Sequence, residues 1–290
     1  MRDQLLALYP GLSVEIVPMT TEGDRLLGAP LIAAGGKALF TKELEQSLLE
    51  GRIDLAVHSM KDVVAQLPEG LMIGAILKRE DPRDALVSPL DITDLDSLPK
   101  GSQIGTASLR RASQIRHRRP DLVIKSLRGN VNSRLAKLDA GEFSAIVLAA
   151  AGLKRLGFAD RIRGYLPIET SLPAAAQGAI GIECRRTDHE TRARIAPLNH
   201  PETAVCVDAE RAVTGVLAGG CRLPIAAFAT LSQDTMTIRG LVGEPDGSRL
   251  ITERATGPVS QATALAVAVG EGLLAQGALA IIERLLKESP

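Results

Sequence analysis

Polar and apolar residues alternate over residues 13–19 (SVEIVPM), and that period of two predicts a strand. Over residues 38–50 the spacing changes. Leu39, Phe40, Leu44, Leu48 and Leu49 form one helical stripe, closed by Gly51. Residues 53–60 (IDLAVHSM) and 71–77 (LMIGAIL) read as strands. Residues 78–89 carry Pro82, Pro89 and mixed charge, and read as a hinge followed by a short extended piece. From residue 103 the pattern becomes a repeated strand and helix. Strands are predicted at 103–106, 122–127 and 144–149. Helices are predicted at 108–118, 131–140 and 150–156, followed by Pro120, Gly141 and Gly157. This alternation argues for an α/β fold with a mostly parallel sheet. Residues 172–183 (LPAAAQGAIGIE) break the pattern and read as a crossing between units.

A third unit starts near Asn199. Pro201 suits the first turn of a helix running to about Leu217, and Gly219, Gly220 and Cys221 form a loop. Residues 224–231, 236–242 and 249–255 read as three strands, with a turn at 244–247 between the last two. Residues 261–286 read as helix, with breaks expected at Gly270, Gly272 and Gly277. Apolar runs such as 143–153 fall short of the roughly 20 residues of a membrane helix. The first ten residues carry Arg2 and Asp3 and do not read as an export signal.

Composition narrows the function classes. Of 290 residues, 45% are hydrophobic and 23% charged, enough apolar material for a substantial core. Thirty-four basic residues balance thirty-four acidic ones, so no global field recruits nucleic acid or membrane. Aromatics are 2%, with no Trp, which argues against a stacking platform for single strands. The three cysteines (Cys184, Cys206, Cys221) show no CxxC spacing, so a reducing cytoplasm is expected. His58, His117, His189 and His200 do not stand at metal-ligand spacings, and no metal is expected.

Charge is nevertheless uneven. Residues 100–140 hold ten bases against Asp121 and Asp139, while residues 84–99 hold four acids and no base. A solvated helix face would account for the block by composition alone. Its placement is more specific. Thr106, Ser108, Arg110 and Arg111 fall where a strand gives way to a helix, Arg128 and Arg134 repeat that position, and Lys154 and Arg155 follow the next strand. Ligands of open α/β sheets bind at the carboxyl ends of strands, and arginine forks match carboxylates or phosphates. A multiply anionic ligand in a cleft is therefore expected. Asp62 in HSMKD also ends a strand; it reads as a helix cap, a salt-bridge partner or a catalytic acid. Cys221, behind two glycines and before Arg222, reads as a buried small hydrophobe or as a reactive thiolate.

Eight stretches, in order, are similar to motifs of the porphobilinogen deaminase family. They are GGKALFTKELE (35–45), DLAVHSMKDV (54–63), REDPRDALVS (79–88), GTASLRR (105–111), SLRGNVNSRLAKL (126–138), AAGLKRLG (150–157), LPAAAQGAIGIE (172–183) and GGCRLPI (219–225). The resemblance implies two periplasmic-binding-protein-like (type II) domains plus a small α+β C-terminal domain. The boundaries it implies are 1–78 with 179–197, then 84–173, then 199–290. It also implies head-to-tail condensation of four porphobilinogen molecules, with release of ammonia, into hydroxymethylbilane. The chain would grow on a dipyrromethane cofactor joined by a thioether at Cys221, with Asp62 as the catalytic aspartate. Arg110, Arg111, Arg128, Arg134 and Arg155 would bind cofactor and substrate carboxylates, supported by Lys37, Ser59, Lys61, Thr106, Ser108 and Gln177. The protein would be a cytoplasmic monomer that binds neither nucleic acid nor membrane and passes its product to uroporphyrinogen-III synthase.

The chain departs from the family pattern at Glu22, where a base is common, at Val64, where proline is usual, and at its start. Residues 1–8 read as the end of a first helix, with the preceding strand and its Arg- and Ser-bearing loop missing. A truncated or misassigned start is expected, with an unstable first domain and poor activity. Two other classes compete. A non-catalytic binder of anionic small molecules would need neither Asp62 nor Cys221. A nucleic-acid module would rest on the basic block alone and show steeply salt-dependent affinity.

Overall fold

The computed structural model describes residues 1–21, 41–64, 66–217 and 223–288, whose strands form three sheets. The first contains β1 (Leu55–Ser59), β2 (Leu71–Ile76) and β8 (Ile180–Arg185) in the order β1-β8-β2, with both pairings antiparallel. The second contains β3 (Asp84–Val87), β4 (Gln103–Gly105), β5 (Val123–Lys125), β6 (Ala145–Ala149) and β7 (Gly164–Tyr165) in the order β5-β4-β6-β3-β7. Here β4 runs parallel to β5 and β6, while β3 runs antiparallel to β6 and β7. The third is an antiparallel meander of β9 (Ile225–Ser232), β10 (Thr235–Gly243) and β11 (Leu250–Pro258).

The expected mostly parallel sheet is thus corrected. Among the described residues, only the strands linked by strand–helix–strand units, β4, β5 and β6, lie parallel. Strands β3 and β8 each follow a crossing from one sheet to the other, and they arrive running the opposite way. The two crossings, residues 77–83 and 172–179, lie against each other. Leu77 N donates to Ile180 O (2.9 Å) and Glu80 N to Gly178 O (3.2 Å). Gly178 is required there: its φ is +91°, and a Cβ would stand 2.5 Å from Glu80 O.

The helices follow the predicted stripes. They are α1 (Arg2–Leu8), α2 (Lys42–Leu49), α3 (Leu109–Arg118), α4 (Val131–Asp139), α5 (Ala150–Arg155), α6 (His189–Ile195), α7 (Pro201–Val216), α8 (Ala262–Ala275) and α9 (Ala278–Lys287). Side chains of Ser108, Asn130, Asp188 and His200 cap α3, α4, α6 and α7. Of the stripe predicted over 38–50, Leu39 and Phe40 lie outside the described residues. Residues 13–19 form no strand, because no ladder partner stands beside them among the described residues; Ile16 and Val17 are exposed. Gly270 and Gly272 do not break α8, whereas Gly277 separates it from α9. Gly270 instead admits α7, since a Cβ there would come within 2.6 Å of Val216 Cβ.

The three sheets meet at one buried carboxylate, Glu210 on α7. Its Oε1 accepts from Arg79 Nη1 (2.6 Å) and Ala229 N (2.8 Å), and its Oε2 from Arg79 Nη2 (3.0 Å) and Ala176 N (2.6 Å). One side chain therefore ties both crossings to β9. Ala176 has φ 61°, a strained value for a residue with a Cβ, and the bond from its N–H to Glu210 helps hold it. Breaking a buried pair from one side strands the other charge, at a cost of about 3–5 kcal/mol. Glu210→Gln is expected to lower unfolding free energy by about that amount in denaturant titration. A loss below about 1 kcal/mol, the scale of an exposed pair, would contradict the junction described here.

Candidate functional site

The loop from β4 into α3 sets the site. Thr106 N donates to Lys125 O (3.0 Å), Thr106 Oγ1 accepts from Ser108 N (3.2 Å), and Ser108 Oγ accepts from Arg111 N (3.4 Å). This turn puts Arg110 and Arg111 in the first turn of α3. Cations are disfavoured there, because the helix start is itself electropositive. Both side chains are nonetheless buried. The compensation is Asp84, at the head of β3 and fully buried.

Asp84 is met from four sides. Arg110 donates from Nη1 to Oδ2 (2.8 Å) and from Nη2 to Oδ1 (3.2 Å). Arg111 Nε (2.9 Å), Gln177 Nε2 (3.0 Å) and Ser171 Oγ (2.8 Å) complete the set. Burial pushes the Asp84 carboxyl upward, but Arg110 and Arg111 outweigh it and hold it far below the ordinary carboxylate range. Arg110 has a second partner in Leu172 O (2.8 Å), and Arg111 Nη1 donates to Val147 O (3.1 Å). The carboxylate that meets the Arg110 fork is thus the protein's own.

Across from this hub, β1 ends at the half-buried Ser59, which begins a single 3-10 turn, Met60–Asp62. Met60 plugs the turn into a core with Ala176, Ala179 and Val207, and leaves Lys61 and Asp62 half-buried. Burial lowers the Lys61 pKa. Asp62 opposes that shift, Arg111 reinforces it, and Asp84 and Arg110 act more weakly. Arg134 Nε donates to Gly129 O (2.6 Å). Its guanidinium is pushed down to about 10 by burial and by Arg111, against Asp62, with Arg128 adding to the fall. Arg128 is half-buried just before α4.

The structure thus gathers Lys61, Asp62, Arg110, Arg111, Arg128 and Arg134 into one electrostatic neighbourhood, with Ser59, Thr106, Ser108 and Gln177 on the segments that build it. Arg155 stands apart. It is exposed at the end of α5. Its neighbour Lys154 pairs with Glu80 (3.1 Å). Lys37 and Cys221 lie outside the described residues.

Among the described residues, Lys61, Arg110, Arg111, Arg128 and Arg134 gather around Asp62 and Asp84. Burial is the first cause of the depressed Lys61 and Arg134, and neighbouring arginines add to it. Carboxylates, such as the acidic side chains of a dipyrromethane, are what these cations would bind. Sequence reasoning missed Asp84, which it counted only within an acidic stretch. The signal was present: an Asp entering a strand of continuous apolar residues (ALV) must be paired to be buried.

Comparison with known proteins adds a family. A family model described as "Porphobilinogen deaminase, dipyromethane cofactor binding domain" matches residues 1–193, and one described as "Porphobilinogen deaminase, C-terminal domain" matches residues 204–275. Among solved structures, the periplasmic VFT2 domain of BvgS from Bordetella pertussis is 19% identical. It covers 67% of this chain and 73% of its own, with a TM-score of 0.38. An ancestral arginine-binding protein bound to arginine is 18% identical over 68% of this chain and 77% of its own, with a TM-score of 0.37.

Asp84→Asn keeps the shape of the hub and removes its charge, so two buried guanidiniums lose their counter-charge. A loss of about 3–5 kcal/mol in unfolding free energy is expected at pH 7. The folded-state pKa of Asp84 is depressed, so its contribution is complete above the ordinary carboxylate pKa, about 4. It declines as pH falls toward the folded-state value. The gap between wild type and Asp84→Asn should therefore narrow below about pH 4. A gap that stays constant from pH 7 to pH 3 would refute the assignment.

Proposed function

The chain belongs to the porphobilinogen deaminase family, and on that premise we propose how its residues divide the work. The enzyme is a transferase of tetrapyrrole biosynthesis. It condenses porphobilinogen head to tail, with loss of ammonia, into hydroxymethylbilane. The dipyrromethane cofactor, when bound, supplies the primer to which the units are joined.

Each porphobilinogen brings an acetate and a propionate, so anionic charge accumulates as the reaction proceeds. Lys61, Arg111, Arg128 and Arg134 hold these carboxylates, with hydroxyl support from Ser59, Thr106 and Ser108. Arg110 and Gln177 act from behind. They fix Asp84, and Asp84 fixes the guanidinium of Arg111. Lys37 and Arg155 extend the anion-binding surface, and Cys221 carries the thioether. The single observation that supports this division best is the gathering of Lys61, Arg111 and Arg134 around Asp62 among the described residues.

Asp62 acts on the reacting atoms. Loss of ammonia from porphobilinogen leaves an electron-poor methylene carbon, and attack by a pyrrole places positive charge on ring nitrogen. A carboxylate held on a short turn anchored by buried Met60 stabilises that charge, with no reorganisation at the moment of reaction, and takes up the proton that the attacked pyrrole carbon loses as the ring regains aromaticity. We also place the enzyme in a reducing cytoplasm, a reading supported by the buried free thiols Cys184 and Cys206. The family resemblance supports a monomer that hands its product to uroporphyrinogen-III synthase.

Cys221→Ser is expected to give protein whose intact mass lacks two pyrrole units and which gives no colour with Ehrlich's reagent. Cys184→Ser and Cys206→Ser should load normally, and an adduct surviving in Cys221→Ser would overturn the attachment. Asp62→Asn should retain the adduct and lose turnover by roughly 10²–10³-fold, the scale of a lost electrostatic stabiliser. Formation of hydroxymethylbilane within about tenfold of wild type, roughly 1.4 kcal/mol, would remove Asp62 from the reaction.

A further inference from the structure

The 3-10 turn bearing Asp62 is held on its N-terminal side by Met60, which is buried among Ala176, Ala179 and Val207. On its C-terminal side the chain leaves through Val63, whose N–H closes the turn on Met60 O (3.3 Å), and then Val64. Among the described residues, neither carbonyl of this exit pairs within its own sheet. Both are taken by one side chain from the C-terminal domain. Arg211 Nη1 donates to Val63 O (2.9 Å) and Arg211 Nη2 to Val64 O (2.7 Å). Arg211 lies on α7, one turn beyond Val207, so the apolar contact and the fork come from the same helix face.

We propose that Arg211 is a positioning residue for Asp62. Its fork fixes the two carbonyls that follow the aspartate, and so sets the carboxylate relative to α7, the helix whose sequence continues into the Cys221 segment.

The fork does something that apolar packing does not. Val63 and Val207 supply burial, which is indifferent to rotation about the chain. Two charge-assisted bonds from one rigid guanidinium to successive carbonyls fix the orientation of the backbone between them. Burial also lowers the Arg211 pKa, with Asp208 opposing, so the protein tolerates a desolvated cation to keep this grip. The contact crosses from the C-terminal domain to the strand-end that carries the acid, so a motion of α7 moves Asp62 with it. A misplacement of about 1 Å at a reacting group costs on the order of 10²-fold in rate, which is the scale at which such a grip matters.

The inference rests on the reading of Asp62 as the acting carboxylate, and the experiment separates the two. Arg211→Ala and Arg211→Lys are made in the full-length, cofactor-loaded enzyme, each alone and combined with Asp62→Asn. Loading is followed by intact mass, stability by melting temperature, and the first condensation by single-turnover kinetics with porphobilinogen. Arg211→Ala should load fully and slow the first condensation roughly 10- to 100-fold. Arg211→Lys, with one ammonium in place of a fork, should fall between. In the Asp62→Asn background neither change should slow the reaction further. A loss of equal size in both backgrounds would overturn the inference, because Arg211 would then act independently of Asp62. A first condensation unchanged in both Arg211 variants would overturn it as well. If Arg211→Ala melts early or fails to load, Arg211→Lys decides by the same comparison. A normal rate in Asp62→Asn alone would instead reject the Asp62 reading itself.

Discussion

A carboxylate removed from water stays ionised only if cations and hydrogen-bond donors replace its hydration, and Asp84 is the place in this fold where that condition is met most fully. It sits at the head of a strand with no exposure and accepts from Arg110, Arg111, Gln177 and Ser171. The cost of burying the charge is high, and the cost of burying the two arginines without it would be higher. Each member therefore constrains the others. Arg110 cannot leave the hub without stranding Asp84. Arg111 gives Nε and Nη2 to Asp84 and Nη1 to Val147 O.

The hub is continuous with the junction of the three sheets. Gln177 touches Asp84 with its side chain, and its backbone carbonyl accepts from Arg79 Nε (2.8 Å), whose fork is held by Glu210. Two buried carboxylates, one in the second sheet and one on α7, are thus linked through a crossing segment only a few residues long. From the same helix Arg211 reaches the segment after Asp62. The site is assembled by polar groups at the ends of strands and in crossings. The apolar clusters beneath them supply stability without specifying orientation.

Much of the fold was legible because periodicity reports local structure directly. The alternation over 103–156 gave β4, α3, β5, α4, β6 and α5 nearly in register, and the turn at 244–247 separates β10 from β11 as expected. What periodicity does not report is pairing. Strands β3 and β8 look like any short apolar run, and only the crossings reverse them against their neighbours. Gly270 carries the same letter as a helix breaker, yet it serves close approach to Val216, a contact from a distant segment. The basic residues at successive strand ends were legible as an anion site, since their spacing is local. Asp84 signalled only that it needed a partner; which partners it has, and the roles of Glu210 and Arg211, were not legible, because each is defined far away in sequence: Asp84 by Arg110 and Gln177, Glu210 by Arg79, Arg211 by Val63.

The whole site depends on a charged, water-free Asp84 held by two arginines. Its most direct test is a carbon-13 titration of the Asp84 side-chain carboxyl in the folded protein, assigned by comparison with Asp84→Asn. The hub described here requires the resonance to keep its ionised position down to about pH 3, below the ordinary carboxylate value of about 4. A carboxyl that titrates near 4, as in a solvated aspartate, would mean that Arg110 and Arg111 do not hold it, and the central claim would be wrong.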